Sequence, residues 1–342
     1  MKNLIIFGQP NDPHITRVYS MLNKAGVSMG IYTPVSDTRL SPDPVSWFTG
    51  RSSVKSTLIL PDLSGGYTEC DPRSSVWWIR NKFQMLGILT ETDQRHHFEV
   101  NTREAFVRGL ISASNSRSIN GNRMRKELNR KINQLSLAQS LDFPIPKTII
   151  SSSRQEISKF VSQVETAIIK TLDETGAPPI ANGDENPMLT NIFIMTNDIS
   201  IEEITLAHDD EFLSAPVIVQ QKIDKKYELR VIAFNEDAIC YRIESQNSDK
   251  TSTDWRHGES DSGMFSISNS DLTFEIHLFI KEYLKLLELD MGVFDFAVDK
   301  NGKVIFFECN PSGQWCSIEG AIEYPVSNMI ARNMLAILSE IN

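Results

Sequence analysis

The sequence predicts an α/β protein built from two or three packed units. Its 342 residues exceed the roughly 100–150 residues that are usual for one compact core. The first residues read as an apolar strand at 2–8, a helix at 14–24 with Ile15, Val18 and Leu22 at helical spacing, and a second strand after Gly26. Strand, helix and strand in this order are typical of a parallel sheet.

This opening predicts a Rossmann-like layer, which we place in an N-terminal domain of residues 1–120. Gly8-Gln9-Pro10 lacks the G-x-G-x-x-G spacing, so a dinucleotide site at the first turn has little support. The Ser/Asn-rich stretch SASNSRSINGN at 112–122 marks the first boundary. We expect a central subdomain at 121–215 and a C-terminal subdomain at 216–342.

Composition and charge exclude several classes of protein. The 34 Lys and Arg residues against 44 Asp and Glu residues give a net charge of −10, which disfavours a broad nucleic-acid surface. No apolar stretch approaches the roughly 18–20 residues that span a bilayer, and the apolar run at 4–7 is too short for a signal peptide. The four cysteines form no CxxC pair. We expect a cytoplasmic protein without nucleic-acid or membrane partners.

Later segments predict further helices and strands. Met124, Leu128, Ile132 and Leu135 repeat at helical spacing. Ser153 and Glu156 have the spacing of a capping box before a second helix. The remaining predicted elements are strands at 166–172, 216–221 and 227–234, a helix at 271–287 and a closing helix at about 325–338.

The most informative pattern is GVFDFAVDKNGKVIFFECNPSGQW at 292–315. Asn301-Gly302 between two apolar runs predicts a hairpin with a two-residue type I′ turn. That turn would place Lys300 opposite Lys303, and the same register would place Asp295 opposite Glu308. Two carboxylates directly across a ladder repel each other, so this pair needs an explanation.

A bound metal ion would explain why two carboxylates lie opposite each other. Asn310 follows Glu308 by two residues and therefore shares its face of the strand. Two carboxylates and an amide are hard oxygen ligands of the kind that hold magnesium together with substrate phosphates. The alternative is a pair of solvated carboxylates at strand ends. Asn310 and the turn at 313–315 favour the metal.

Other residues favour an anionic ligand nearby. Lys170 lies in an apolar strand, where a buried ammonium is costly unless an anion such as phosphate meets it; the alternative is a snorkelling surface lysine. Alternation in YELRVIAF places Glu228 and Arg230 on one face. They suit a ribose hydroxyl and a phosphate or carboxylate, or form an ordinary salt bridge.

Together and in chain order, these residues resemble the ATP-grasp ligases. The resemblance implies an ATP-grasp fold of two α+β subdomains that grip ATP, preceded by the N-terminal domain. It implies ATP and two Mg²⁺ ions as cofactors. Its implied contacts are phosphates at Lys131 and Lys170, adenine beside Gln221 and the main chain of Lys222 and Ile223, ribose at Glu228, and magnesium at Asp295, Glu308 and Asn310.

Within that family the chain is most similar to the microviridin-type peptide macrocyclases, or graspetide synthetases. The similarity lies in WWIR (77–80), PVIVQQKIDKKYELRV (216–231), DWR (254–256) and NPSGQW (310–315). It implies that the γ-phosphate of ATP passes to an Asp or Glu side chain of a precursor peptide, which then condenses with a Thr or Ser hydroxyl or a Lys amine. Segment 173–190 departs from the family's glycine-rich phosphate loop, with only Gly176 and Gly183.

An arginine must grip the acceptor carboxylate in this chemistry. The candidates are Arg230, Arg242 and Arg256, with Arg80 of the N-terminal domain next as a substrate contact. Asp254 either acts as a base for the attacking hydroxyl or orients Arg256, and we favour orientation.

The precursor partner comprises a leader and a core peptide. The resemblance implies a leader helix near 200–215, where Asp209 and Asp210 would receive a positive leader residue; a solvated acidic loop is the alternative. It also implies a homodimer.

Two other functions remain open on the sequence. One is a ligase that adds glutamate or another amino acid to a protein or peptide C-terminus, which shares the fold and the metal site. The other is an ATP-binding scaffold that does not catalyse. The complete set of predicted magnesium ligands argues against the scaffold.

Overall fold

A computed structural model of the chain describes residues 3–32, 58–71, 74–80, 98, 102, 105–106, 109, 117–120, 130–170, 172, 196–206, 216–258, 262–322 and 326–340. Structural statements below concern these residues. Asp209, Asp210 and the segment 173–190 lie outside them, so the predictions made there stay predictions.

The N-terminal part contains a parallel sheet, as the sequence predicted. Asp12 caps the first helix by accepting from the His14 amide, and Gly26, at φ 79°, follows that helix. A separate antiparallel pair lies beside the sheet. The elements are β1 (Asn3–Phe7), α1 (Pro13–Lys24), β2 (Ser28–Tyr32), the pair β3 (Leu58–Pro61) and β4 (Tyr67–Cys70), β5 (Val76–Ile79) and β6 (Ser118–Ile119). Strand order in the parallel sheet is β2-β1-β5-β6.

A second, antiparallel sheet forms the central part. The Ser153 side chain accepts from the Glu156 amide at 3.4 Å, as the capping prediction required. The elements are α2 (Lys131–Ser140), β7 (Thr148–Ser151), α3 (Arg154–Val161), β8 (Ala167–Lys170), β9 (Asn197–Ile199), α4 (Ile201–Leu206) and β10 (Val217–Gln221), with strand order β7-β10-β8-β9. Strand β10 therefore pairs within the central sheet, although the boundary predicted at 216 gave it to the next unit. The domain bounds as a whole stay a prediction.

The third sheet is antiparallel and carries the predicted hairpin. Its elements are β11 (Lys225–Phe234), β12 (Asp237–Ile243), α5 (Asp249–Ser252), β13 (Phe265–Ile267), α6 (Phe274–Leu286), β14 (Met291–Asp299), β15 (Val304–Asn310), α7 (Cys316–Ile322) and α8 (Val326–Glu340). Strand order is β13-β12-β11-β14-β15.

The two faces of this third sheet pack against different neighbours. On one face, Phe294, Phe296 and Phe306 pack with Phe279 and Tyr283 of α6. The other face joins a core shared with the N-terminal sheet, α1 and α8. Apolar side chains are therefore buried on both faces of these strands. Within the described chain, no helix combines the length and apolar character needed to cross a bilayer.

Asp295 lies opposite Glu308 as predicted, but the loop and the register that produce this pairing differ from the prediction. The predicted two-residue turn is wrong: Asp299 lies opposite Lys303, and the loop between them contains three residues, ending in Gly302 at φ 83°. The Asp299 carboxylate accepts from two loop amides at 2.9 and 2.8 Å, which stabilises the longer loop. An irregularity between Asp295 and Phe296 then shifts the register by one residue and restores Asp295 opposite Glu308.

Candidate active site

Two acidic side chains face each other where β14 and β15 pair. Arg230 of β11 lies opposite Asp295, and its Nη1 donates to both carboxylate oxygens at 2.7 and 2.8 Å. Lys131, at the start of α2, places Nζ 2.9 Å from Glu308 Oε2. The Asn310 amide donates to the other Glu308 oxygen at 2.9 Å. The structure thus brings together all three predicted magnesium ligands and one predicted phosphate-binding lysine.

The two carboxylates differ in electrostatic environment. Burial raises the pKa of Asp295 to about 6, with Arg230 opposing the change and Glu308 adding to it. The Lys131 ammonium instead holds the pKa of Glu308 well below its usual range, against the effect of burial. The surroundings therefore favour the ionised form of Glu308 and disfavour that of Asp295.

This donor set fits a hard divalent cation. In the described residues, no three side chains drawn from His, Cys, Asp and Glu converge as a metal site, so the candidate centre depends on the Asn310 amide oxygen as its third ligand. Two partly buried carboxylates across one ladder position are costly without added positive charge. Oxygen ligands of this kind and number suit magnesium that also contacts phosphates.

Lys170 ends strand β8 of the central sheet and extends the positive charge around the acid pair. The pKa of Lys170 is lowered to about 7, chiefly by burial and also by the nearby Lys131 ammonium. Glu308 acts in the opposite direction. A buried amine with this pKa is stabilised in its charged form when an anion binds beside it.

Arg256 is the half-exposed cation of the site. It lies in a short 3-10 helix, Trp255–Gly258, directly after Asp254. Asp254 is only 5% exposed, and its carboxylate accepts from Arg256 Nε at 2.8 Å and Nη2 at 2.5 Å, while the Arg256 side chain stays 48% exposed. The bond to Asp254 raises the pKa of Arg256, and Glu308 and Asp295 also attract its charge. The Asp254 carboxylate thus contacts two nitrogens of the Arg256 guanidinium.

The other two predicted arginines lie elsewhere. Arg242, one of the candidates for the acceptor carboxylate, lies opposite Leu229 and therefore on the other face of the sheet from Arg230, so it does not join the acid pair. There it stacks 3.6 Å from the Tyr227 ring centroid and pairs with Glu244. Arg80 is buried at 5% exposure and donates to main-chain carbonyls of Ser312 and Gly313.

The predicted ribose acid has a partner that the sequence did not reveal. Lys225 Nζ lies 2.8 Å from Glu228 Oε1, with both side chains buried, and also donates to the Thr253 carbonyl at 3.1 Å. Simple alternation places residues 225 and 228 on opposite faces of a strand. A register shift between Lys225 and Tyr227 brings them to the same side. No sequence signal marks that shift.

The predicted adenine hinge follows β10. The Gln221 amide donates to the Lys147 carbonyl and the Lys222 amide to the Thr166 carbonyl, each at 2.9 Å. The Lys222 side chain pairs with Asp198. Because the Lys222 amide is bonded to Thr166, an adenine contact here would use the Lys222 carbonyl and the Ile223 amide.

Known structures share this architecture, although no family model matches the chain and no curated protein matches its sequence. A RiPP-associated ATP-grasp ligase from Chryseobacterium gregarium, in complex with ADP and a leader and core peptide, is similar at a TM-score of 0.81 and 21% identity over 100% of this chain and 98% of its own. The macrocyclase MdnC from Microcystis aeruginosa MRC, bound with the precursor peptide MdnA, has a TM-score of 0.76 and 20% identity, covering 99% of this chain and 100% of its own.

A more distant similarity is to a RimK domain ATP-grasp protein from Sphaerobacter thermophilus DSM 20745, with a TM-score of 0.56 and 11% identity over 97% of this chain and 99% of its own. The chain therefore has the predicted ATP-grasp fold, whereas the Rossmann-like character of its N-terminal part stays a prediction. Its likeness to the two peptide-modifying ligases, by TM-score, exceeds its likeness to the RimK domain protein.

Proposed function

We propose that this protein is an ATP- and magnesium-dependent ligase that closes rings in a ribosomally made precursor peptide. The observation that carries the proposal is the convergence of two candidate magnesium carboxylates with Lys131, Lys170 and Arg256 at one position of the third sheet. Similar structures support it: the Chryseobacterium ligase was solved with ADP and peptide, and the ligase PsnB with Mg, ADP and a minimal precursor.

The chain's own residues take separate roles in binding. Asp295, Glu308 and Asn310 would hold two Mg²⁺ ions, which supply charge neutralisation for the transferring phosphate. Lys131 and Lys170 bind the phosphates. The remaining contacts are the ribose at Glu228 and the adenine beside Gln221, at the Lys222 carbonyl and the Ile223 amide.

Arg256 is the arginine that we assign to the acceptor carboxylate of the peptide. Arg230 is buried and already bonded to both oxygens of Asp295, and Arg242 lies on the other face of the sheet. Arg256 is half exposed, and its charge is attracted by both candidate metal carboxylates, Asp295 and Glu308. Its planar fork suits a carboxylate, and Asp254 fixes the orientation of that fork.

The reaction then has two steps. A carboxylate oxygen of the peptide attacks the γ-phosphorus, the bond from that phosphorus to ADP breaks, and an acyl-phosphate forms. A Thr or Ser hydroxyl, or a Lys amine, attacks the acyl carbon, and phosphate leaves as the ester or amide closes. The attacking group loses its proton in this second step. Arg256 acts in the first step by holding the carboxylate in line.

Mass spectrometry of the peptide encoded beside this gene, incubated with the protein, ATP and magnesium, tests the proposal. We expect successive losses of one water per ring, abolished in Glu308→Ala. Glu244→Ala is the matched control, because Glu244 is a carboxylate of the same sheet region that pairs with Arg242 away from the acid pair. Stepwise gain of amino-acid mass would indicate a C-terminal ligase instead. An unchanged peptide with ATP bound but not consumed would indicate a scaffold.

Two further assignments stay predictions within this proposal. The homodimer implied by the resemblance is checked by light scattering of the purified protein. The cytoplasmic location is checked by fractionation of the producing cell.

A further inference from the structure

The loop that follows the metal hairpin is held by side chains of the N-terminal part of the chain. We call residues 311–316, directly after Asn310, the anchor loop. Three distant side chains bond to its main chain. Asn120 donates to the Pro311 carbonyl at 2.9 Å, Arg80 donates to the carbonyls of Ser312 and Gly313, and His14 Nε2 accepts from the amides of Trp315 and Cys316 at 3.0 and 3.2 Å.

His14 can accept these two bonds only as a neutral imidazole. Its Nδ1 lies 2.6 Å from Asp12 Oδ1, which assigns the ring proton to Nδ1 and leaves the Nε2 lone pair for the two loop amides. Burial lowers the pKa of His14 and keeps the ring neutral, although Asp12 opposes the shift. The ring also packs edge-on against Trp315 at 4.4 Å.

Asn120 ties the loop to the first residues of β14. It is 1% exposed and holds a left-handed backbone conformation at φ 53°. Its Oδ1 accepts from the amides of Asp290 and Met291 at 2.9 Å each, and its Nδ2 donates to the carbonyls of Met291 and Pro311. Every hydrogen-bonding position of this amide is therefore used, and the strand that carries Asp295 is fixed relative to the loop.

The other side of the anchor loop contacts Arg230, which holds Asp295. The Gln314 carbonyl accepts from Arg230 Nη2 at 2.9 Å, and the same guanidinium holds Asp295. Gly313 lies so close to β14 that a Cβ there would come within 2.5 Å of Val293 Cβ. A displacement of the loop would therefore move Arg230, and with it the Asp295 carboxylate.

We propose that His14, Arg80 and Asn120 are positioning residues that set the geometry of the candidate magnesium centre through the anchor loop. The N-terminal part of the chain thereby contributes to catalysis without touching the substrate. The contribution to catalysis rests on the proposed function. The hold of these three side chains on the anchor loop can be measured without the peptide.

Amide hydrogen exchange of the anchor loop is the direct test. In His14→Phe the Trp315 and Cys316 amides lose their acceptor, and we expect their exchange to accelerate at least tenfold. His14→Gln keeps an oxygen acceptor near the Nε2 position and should retain most of the protection. Val18→Ala is the control, because Val18 packs in the same shared core without bonding to the loop.

Binding of Mn²⁺ in the presence of ADP, followed by electron paramagnetic resonance, is the second readout. Loss of a group that orients metal ligands typically weakens metal binding about 10–100-fold. We expect this loss in His14→Phe and Arg80→Met, near-native binding in His14→Gln, and no change in Val18→Ala. Arg80→Met also serves if His14→Phe does not fold.

Faster loop exchange with unchanged Mn²⁺ affinity would overturn the proposal and leave the three residues a purely structural role. Equal losses in Val18→Ala would overturn it as well. Neither readout needs the precursor peptide. A failure of ring formation in the wild-type protein would therefore refute the proposed function. The test of the three positioning residues would be unaffected by that result.

Discussion

Asp254→Asn distinguishes the two roles that the sequence left open for Asp254. The substitution keeps the shape of the side chain but removes its charge. If Asp254 orients Arg256, the guanidinium loses two charge-assisted bonds, which measure 2.8 and 2.5 Å in the structure. If Asp254 is instead a base, the substitution removes the proton acceptor for the attacking hydroxyl.

The size of the orientation effect follows from the contacts. A hydrogen bond to a charged group contributes about 1.5–3 kcal/mol. Because the Arg256 side chain is 48% exposed, solvent screening reduces the expected loss to about 1–2 kcal/mol. That corresponds to a fall of about 5- to 30-fold in kcat/KM for the peptide.

The assay measures ADP release and ring closure side by side, with hydroxylamine added to trap acyl-phosphate. Orientation predicts that both rates fall in parallel and that Asp254→Asn/Arg256→Met is no slower than Arg256→Met alone. Glu244→Gln is the control, because it removes the charge of an acid that pairs with Arg242 on the other face. Acyl-phosphate formed at the wild-type rate without ring closure would refute orientation and establish Asp254 as the base.

Two further predictions concern Lys170 and Gly313. The pKa of Lys170 is about 7 without ATP, and a bound phosphate stabilises the ammonium form. Above pH 7, ATP binding should therefore be accompanied by uptake of a proton. The affinity for ATP should then fall by up to about tenfold per pH unit. Calorimetry in buffers of different ionisation enthalpy should detect that proton; Lys170→Met should abolish it, and its absence in the wild type would contradict the prediction. Gly313→Ala should lower the free energy of unfolding by about 1–3 kcal/mol, since its Cβ would lie 2.5 Å from Val293 Cβ. Urea unfolding measures the loss, Val293→Ala should restore part of it, and unchanged stability would show that the loop can move away.

The sequence identified the acid pair although it gave the wrong turn. Alternation along one strand places Glu308 and Asn310 on the same face, whereas the position of Asp295 opposite them depends on the register of the hairpin. The loop length depends on the Asp299 carboxylate accepting from two amides, a contact that the Asn-Gly signal does not contain. The one-residue irregularity beside Asp295 compensated for the error.

For Arg242, an error of one residue in the register placed the side chain on the wrong face of the sheet. A three-residue turn at 235–237 would set Arg242 opposite Arg230. The structure pairs Phe234 with Asp237, which leaves a two-residue loop and sets Arg242 opposite Leu229. A shift of one residue moves a side chain to the other face of the sheet.

Contacts between distant segments could not be predicted at all. His14 bonds to residues about 300 positions away, and Asn120 to residues about 170 positions away. Neither residue stands out in composition or spacing. The partnership of Lys225 with Glu228 depends on a bulge that no sequence pattern marks. Pattern and resemblance therefore identified the candidate ligand-facing groups, while the groups that hold them in place required the tertiary structure.

The opposite pKa shifts of the two carboxylates indicate at which of them a bound metal ion would stabilise the site most. Glu308 has two lysines near it, Lys131 in direct contact and Lys170 beyond, and their charges outweigh its burial. Asp295 pairs with Arg230, which also donates to the Gln314 carbonyl, and the effect of burial on the pKa of Asp295 outweighs the effect of the Arg230 charge. Asp295 is thus the carboxylate whose negative charge is less compensated in the ligand-free protein. A divalent cation between the two side chains would supply the missing positive charge at Asp295, while the phosphates that accompany it would offer Lys131 and Lys170 new partners.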